Sequence, residues 1–241
     1  MTTYQKSTEG SKNWQPIRKV AEIIENRLIE AILDGTFPIN AHLPGERELA
    51  ESLGVTRPTL REALQRLARD GWLEIHHGKP TRVRDYWKEG RLGVLNTLSE
   101  HPDKLPDNFI PNLLNVRLAM APMYTALAVS NASGDVVSLL EGRSNLNHAP
   151  GEFAKFDWTL QHTLTLLSEN PVFIMILNGF EDMYLNLAPF YFSIPAAREH
   201  SLIYYENLAG AARKNDVFGA KSITEEVMRD SLNFWQQTKF I

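Results

Sequence analysis

The apolar positions between residues 44 and 81 predict two short helices joined by a tight turn. The first helical pattern covers Glu46–Leu53 and ends at Gly54, a residue type that favours the left-handed backbone found after helices. Thr56 then offers a side-chain oxygen as the cap of a second helix, which runs to about Asp70. Two helices with so short a connection are typical of a helix-turn-helix.

The second helix has one apolar face and one polar face. Its apolar residues recur at i, i+3, i+4 and i+7, which is the spacing of a buried stripe. They are Leu60, Ala63, Leu64 and Leu67. The side chains predicted to face outward are Arg57, Arg61, Gln65 and Arg69. Because guanidinium and amide groups read base edges in the major groove, this helix is a candidate recognition helix.

A hairpin follows the second helix. Residues 72–75 alternate as a strand, residues 76–80 turn, and residues 81–84 return as a second strand. At the tip, Gly78 beside His77 lets the backbone approach a phosphate or a narrow groove, because glycine has no side chain to collide. With a bracing helix between residues 16 and 35, residues 16–86 predict a winged helix-turn-helix domain. A winged domain that binds protein is the alternative.

The rest of the chain divides into three regions. Residues 1–15 are polar and aperiodic, which predicts a disordered tail. Residues 87–108 hold two glycines and two prolines around a short apolar patch, which predicts a linker with one small helix. Residues 109–241 alternate long helical patterns with short breakers and show no strand pattern. The predicted fold is mainly α: the small α+β winged domain precedes an all-helical bundle of six or seven helices.

Breakers divide this predicted bundle. We place breaks at residues 131–135, 147–151, 170–171, 193–195 and 214–216, and a single helix over residues 172–192. Pro122 and Pro189 lie within apolar helical runs, where a proline removes a backbone hydrogen bond and usually kinks the helix. Such kinks favour open space between helices.

Composition and charge narrow the class of protein. The 241 residues contain no cysteine, which excludes disulfides and thiolate metal sites. We find no apolar segment long enough to span a bilayer and no signal-peptide pattern, so we expect a cytoplasmic protein without a membrane partner. The net charge is −4, but residues 45–84 carry eight Lys/Arg against six Asp/Glu, which leaves −6 for the remainder. A positively charged helix-turn-helix segment within an otherwise negatively charged chain is consistent with DNA binding.

Four polar residues interrupt apolar stripes in the predicted bundle, one on each of four helices. They are Arg117, Asp157, His200 and Ser231. Each lies at helical spacing from apolar neighbours, so we predict that all four point inward. Taken singly, each is an ordinary buried polar residue whose hydrogen bonds are made within the protein. Taken together they favour a ligand cavity in the bundle, because burying charge without a partner is costly.

Residues 44–81 resemble the DNA-binding domain of the GntR family of transcriptional regulators. The resemblance implies a homodimer that binds a palindromic operator in double-stranded DNA through the outward arginines and the wing. The residues given these roles are Arg47, Thr56, Arg57, Thr59, Arg61, His77 and Gly78. Pro58 stands where the fatty-acid-responsive branch of the family carries a hydroxyl residue. Since proline cannot donate a hydrogen bond, a different base preference is expected.

Further segments resemble that fatty-acid-responsive, FadR-like branch over about residues 41–235: RDGWL, HHGKPT, NPVFIMILNGFEDMYLNLAPFYFS and DSLNFW. The resemblance implies a regulator of fatty-acid metabolism that long-chain acyl-CoA, bound in the bundle, releases from its operators. The counterparts of the residues around that ligand are Tyr191, Tyr205, Ser231 and Trp235. Met228 stands where the branch has a glycine that gives room to the thioester and coenzyme A.

Two alternatives stay open at this point. The first is a GntR-family regulator that responds to a small carboxylic acid beside a metal held by one Asp and three His. Asp157 and His200 match two of those ligands, but Gln161 and Ser231 occupy other ligand positions, so we expect no metal and no cofactor. The second is an enzyme with His162 among its acid/base groups, which the lack of a recognisable nucleophile or phosphate loop disfavours.

Overall fold

The computed structural model of the protein describes residues 20–146 and 149–237. It contains two compact units, Met1–Gly90 and Arg91–Ile241, named here the N-terminal and C-terminal units. The predicted tail at residues 1–15, and the first residues of the predicted bracing helix, lie outside the described residues. The small α+β unit and the helical bundle that the sequence predicts are both present.

The N-terminal unit is the predicted winged helix-turn-helix. Its elements are α1 (Val20–Leu33), α2 (Glu46–Leu53), α3 (Arg57–Asp70), β1 (Leu73–Glu74), β2 (Arg82–Val83) and α4 (Tyr86–Glu89). The two strands pair antiparallel, with Leu73 opposite Val83. The predicted bounds of α2 and α3 agree with the structure.

Local chemistry sets the ends of α2 and α3. Gly54 ends α2 with φ +68° and Gly71 ends α3 with φ +99°, conformations that glycine adopts without strain. The Thr56 hydroxyl accepts a hydrogen bond from the backbone N–H of Thr59 at 3.4 Å and so caps α3. The predicted stripe of α3 is buried, with Leu60 fully enclosed.

The wing has a third extended segment that the sequence analysis missed. The backbone N–H of Leu43 donates to the Thr81 carbonyl at 2.8 Å, and that of Asn40 donates to the Val83 carbonyl at 2.9 Å. An isolated bridge joins His42 to Arg82. Residues 40–43 therefore cover the outer edge of β2, which otherwise offers unpaired backbone groups.

The described residues of the C-terminal unit form helices joined by short connections, with no strand among them. Its α-helices are α5 (Leu92–Ser99), α6 (Phe109–Glu141), α7 (Pro150–Leu167), α8 (Pro171–Asn178), α9 (Glu181–Phe192), α10 (Pro195–Arg213) and α11 (Val217–Gln237). Short 3-10 turns cover Pro102–Lys104 and Gly142–Asn145. The central α6 packs against α7, α10 and α11.

One predicted boundary is found, and two differ from the structure. The predicted break at residues 131–135 is present as a kink at Ala132 (φ −150°, ψ 53°), where two helical segments of α6 meet. The predicted single helix over residues 172–192 is two helices, separated at Gly179 and Phe180. Residues 87–108 hold α5 and a 3-10 turn in addition to most of α4, and Leu98 of α5 is fully buried.

Helix α6 also corrects the expectation that no segment is long enough to span a bilayer. Its 33 residues include an 18-residue window of mean hydropathy 1.2, of which 33% is buried. By length and composition alone this is sufficient to cross a membrane. The apolar residues of α6 form part of the core, since Ala121, Tyr124 and Ala128 are buried against the neighbouring helices of the bundle. The core helix of a bundle has the same composition as a spanning helix.

Candidate functional site

The polar face of α3 is the candidate nucleic-acid interface. Arg57, Arg61, Gln65 and Arg69 are exposed, as the helical pattern predicts. Successive members lie four residues apart on one side of the helix, over the first three and a half turns. Such a row fits the major groove, where long side chains at the beginning of a helix reach base edges.

Carboxylates already engage part of this interface. Arg61 Nε lies 2.7 Å from Glu46 Oε2, although 65% of the Arg61 side chain remains exposed. Arg47 lies 3.9 Å from Glu51 in a looser pair on α2. Exposed pairs of this kind contribute only about 0–1 kcal/mol, so a guanine or a phosphate is able to replace the carboxylate. Glu46 is therefore a neighbour of the interface that sequence reasoning did not single out.

The beginning of α3 presents two hydroxyl groups. The side-chain oxygens of Thr56 and Thr59 lie 2.8 Å apart and share a hydrogen bond. Pro58 occupies the first turn of the helix, where the missing N–H leaves no hydrogen bond unmade. The backbone N–H groups of this first turn carry partial positive charge, which favours a DNA phosphate at the same end.

The tip of the wing is exposed, whereas the arginines at its base are engaged in hydrogen bonds. His77 and Gly78 are exposed at the tip, and Gly78 has φ +71°. At the base, Arg82 Nε donates to Glu74 at 2.7 Å, and Arg84 Nε donates to the Leu73 carbonyl at 2.9 Å. Arg82 and Arg84 therefore brace the hairpin, which leaves the tip as the candidate contact with DNA.

The candidate effector site is a cavity in the C-terminal unit. Its volume is about 90 Å³, whereas one water needs about 10–15 Å³ on the same measure. Apolar side chains of α6 and α9 form most of its wall, and α7, α8 and α11 contribute the rest. The predicted residues that line it are Arg117, Tyr191, Ser231 and Trp235.

A buried polar cluster adjoins the cavity around Asp157, which is 3% exposed. Asp157 Oδ2 accepts hydrogen bonds from Arg117 Nη2 at 2.5 Å and from the Tyr184 hydroxyl. The Tyr205 hydroxyl donates to Asp157 Oδ1 at 3.0 Å. The Arg117 guanidinium also lies 5.3 Å from the centre of the Tyr184 ring. Arg117 and Asp157, two of the four residues predicted to point inward, thus form a direct ion pair.

The tyrosines of this cluster stay protonated. Burial raises the pKa of the Tyr184 hydroxyl well above its ordinary value, and the negative charge of Asp157 raises it further. Burial and the same carboxylate raise the pKa of Tyr205 well above its ordinary value. Both hydroxyls therefore act as donors to the carboxylate. With Arg117 they satisfy Asp157, so the arginine does not confront the cavity as an unpaired charge.

Ser231 and Tyr191 form a second polar contact on the cavity wall. Their hydroxyl oxygens lie 3.3 Å apart, and Ser231 Oγ also donates to the Val227 carbonyl at 2.9 Å. Burial raises the pKa of Tyr191. Trp235 lies one turn beyond Ser231 on α11 and is 6% exposed. These two residues of α11 face the same space as the first half of α6.

Four predicted effector residues do not line the cavity. Asp157 and Tyr205 lie behind the wall and contact it through the cluster. Met228 packs in the apolar core with Tyr124 and Tyr204. His200 is partly buried but does not reach the cavity: its Nε2 lies 3.1 Å from Asp230, and its ring packs 5.2 Å from that of Phe234.

The displacement of His200 has a simple geometric cause. The buried stripe of α10 contains Ala197, Ser201 and Tyr204, whereas Ile203, which lies three residues after His200 on the same face of the helix, is 59% exposed. The buried face is therefore rotated by about one residue from the predicted one. Asp157 and His200 do not meet, and no group of three or more His, Asp or Glu residues within 20–146 and 149–237 is arranged to hold a metal.

Sequence reasoning missed three polar residues on the cavity wall: Tyr124, Gln161 and Tyr184. Tyr124 donates to Gln161 Oε1 at 2.6 Å. A signal was available, since Gln161 lies four residues after Asp157 and so shares its helix face. Tyr124 and Tyr184 gave no such signal, because both occupy apolar positions in the helical pattern of their helices.

Comparison with known proteins identifies a family for each of the two units. The family described as "Bacterial regulatory proteins, gntR family" matches residues 20–83, and the "FadR C-terminal domain" family matches residues 84–240. Proteins named "Fatty acid metabolism regulator protein" from Shewanella pealeana and Shewanella halifaxensis are each 38% identical over 91% of this chain and 92% of theirs. The solved structure of Lar from Listeria monocytogenes is 16% identical, with a TM-score of 0.60 over 93% of this chain and all of that one, and supports the fold.

Proposed function

The chain belongs to the FadR-type branch of the GntR family, whose members are DNA-binding transcriptional regulators rather than enzymes, and we propose that it regulates fatty-acid metabolism under the control of long-chain acyl-CoA. In this proposal the N-terminal unit binds the operator and the C-terminal unit binds the effector. Effector binding releases the protein from DNA. The protein acts in the cytoplasm, with the chromosome as its partner.

The polar face of α3 supports operator binding. Arg57 and Arg61 lie one turn apart on an exposed helix face whose opposite side is buried, so substituting them changes the interface without changing the core. One helix with three or four outward side chains covers only half of a useful operator. We therefore propose a homodimer that places two α3 helices on a short palindrome, with His77 and Gly78 of each wing touching the backbone or a groove edge.

The apolar lining of the cavity supports an acyl effector, and it is the observation that carries this part of the proposal. Its wall follows α6 from Ile110 to Tyr124, a length of about 21 Å at about 1.5 Å per residue. That length is comparable with an extended long-chain acyl group. Most of the wall is apolar, as a hydrocarbon chain requires. The names of the relatives point to the same chemistry.

Release from the operator follows from linkage between the two sites. If the effector prefers a protomer arrangement that fits DNA poorly, the operator must weaken effector binding by the same factor. Movement of α6 and α11, which carry Arg117 and Ser231 on the cavity wall, is the proposed first step. The connection to the N-terminal unit runs through residues 87–108.

A titration of the operator complex tests the proposal. An operator is selected from a random DNA pool with the full-length protein, labelled, and followed by fluorescence anisotropy as hexadecanoyl-CoA is added. Free coenzyme A and a short-chain acyl-CoA serve as controls. Release by the long-chain ester alone supports the proposal, and an unchanged complex refutes the effector. Sedimentation of the complex reports stoichiometry, and one protomer per operator at full affinity contradicts the homodimer.

A further inference from the structure

One end of the cavity carries a polar pair that the proposed function does not use. Tyr124 of α6 and Gln161 of α7 are 2% and 1% exposed, and both line the cavity. The Tyr124 hydroxyl donates to Gln161 Oε1 at 2.6 Å. Burial raises the pKa of Tyr124, so the hydroxyl remains a donor. This hydrogen bond fixes the amide plane of Gln161 against the wall.

The amide nitrogen of Gln161 lacks a partner. Its Nε2 atom is buried and makes no hydrogen bond with any described residue. The Tyr204 hydroxyl is close enough for the Gln161 amide to lower the pKa of Tyr204. The contact falls short of hydrogen-bond geometry, however, and the Tyr204 hydroxyl pairs with Thr224 Oγ1 at 3.3 Å. A buried donor without an acceptor costs about 1–3 kcal/mol. Such a group in a native protein requires an explanation, and a ligand is one of the few available.

The position of the pair places it at one end of the cavity. Tyr124 lies seven residues, or two helical turns, beyond Arg117 on α6. It belongs to the apolar cluster that also contains Leu160 and Tyr204. Ile110 and Trp235 belong to the other cluster. The cavity therefore has the Ser231–Trp235 wall towards one end and the Tyr124–Gln161 pair at the other.

We infer that Gln161 Nε2, held in place by Tyr124, donates a hydrogen bond to an acceptor oxygen of the bound acyl effector. The inference rests on the proposed function and names a specificity-determining residue within it. The oxygen is either the carbonyl of the thioester or a hydroxyl or keto group on the chain. A ligand that places only hydrocarbon at this position leaves Nε2 unpaired. It therefore binds more weakly than a ligand that places an acceptor oxygen there.

A paired substitution tests the inference in the ligand-free protein. The double variant Tyr124→Phe/Gln161→Leu removes both polar groups and keeps similar shapes. Because it removes an unpaired donor together with its neighbour, we expect its Tm to equal or exceed that of the wild type. A clearly lower Tm means that the protein itself satisfies the amide, and overturns the inference. Thr125→Val is the matched control, since Thr125 is a fully buried hydroxyl on α6 that does not line the cavity.

Calorimetry with two esters then locates the oxygen. Hexadecanoyl-CoA and 3-hydroxyhexadecanoyl-CoA are titrated into the wild type, the double variant and the control. We expect the double variant to bind about 2- to 10-fold more weakly, the usual value of one neutral hydrogen bond. An equal loss for both esters assigns the thioester carbonyl, and a loss for the hydroxylated ester alone assigns the chain oxygen. Unchanged or tighter binding of both esters overturns the inference.

A failure of the proposed acyl-CoA effector can be distinguished from a failure of the inference about Gln161. If the wild type binds neither ester, the acyl-CoA effector of the proposed function is refuted. The unfolding measurement still decides whether Gln161 is satisfied without a ligand, because it needs no effector.

Discussion

Replacing Asp157 by asparagine tests the buried cluster that supports the cavity wall. Asp157 accepts hydrogen bonds from Arg117, Tyr184 and Tyr205, all of which are donors. Asparagine keeps one acceptor oxygen but turns the other into an NH2 group that faces donors. It also removes the only carboxylate within 4 Å of the Arg117 guanidinium among the described residues. The variant therefore leaves the Arg117 guanidinium without a counterion, and at least one former donor to the carboxylate then faces an NH2 group.

The size of the effect follows from the burial of the pair. Breaking a buried ion pair by removing one partner costs about 3–5 kcal/mol. The Arg117 side chain is 20% exposed and Asp157 only 5%, so water partly compensates the arginine and about 3 kcal/mol, the lower limit, is expected. In a domain of about 150 residues each kcal/mol lowers Tm by about 2–4 °C, which gives a decrease of about 6–12 °C.

Thermal and denaturant unfolding of four proteins measures this effect. They are the wild type, Asp157→Asn, Arg117→Met and the double variant. Because the double variant has no unpaired guanidinium, Asp157→Asn should cost less in the Arg117→Met background, with a coupling of about 1–3 kcal/mol. Wild-type stability of Asp157→Asn, or strictly additive losses, would refute the role of the carboxylate as the counterion of Arg117.

Three further predictions concern the two sites. Arg57→Ala and Arg61→Ala should each lower operator affinity by about 1–3 kcal/mol in anisotropy titrations, as for loss of a base contact; normal binding with a lower Tm contradicts this, since both side chains are exposed. His77→Ala should weaken operator binding and leave effector affinity unchanged by calorimetry, and an unaltered operator affinity removes the wing tip from the interface. Ser231→Asn should fill the cavity beside Tyr191, so that the operator complex forms normally but resists hexadecanoyl-CoA; release at wild-type concentrations contradicts an effector site there.

The elements that the sequence predicted best are those with local causes. Gly54 and Gly71 end helices because they adopt positive φ, and Thr56 caps α3 through a contact three residues away. A pattern within one helix records these causes, so the bounds of α2 and α3 were correct. The stripe of α3 was correct for the same reason, since its period is a property of the helix alone.

Two breaks in the bundle show where a local signal is sufficient and where it is not. Residues 131–135 contain small and polar residues that favour a break, and the helical backbone is interrupted at Ala132. Gly179, however, separates α8 from α9 within a run that is apolar enough for one helix. The Leu92 side chain would lie 2.7 Å from a β-carbon added at Gly179, so a contact from a distant helix occupies this position.

The sequence by itself determined the winged helix-turn-helix, the helical class of the second unit and the presence of inward polar groups, because these depend on periodicity and on nearby residues. Only the tertiary structure decided which polar groups meet. Arg117 and Asp157 are 40 positions apart, as are Tyr191 and Ser231, and a rotation of about one residue in α10 sends His200 to Asp230 instead of the cavity. Partner choice depends on how helices rotate and cross when their side chains interlock, and that is a property of the packed bundle.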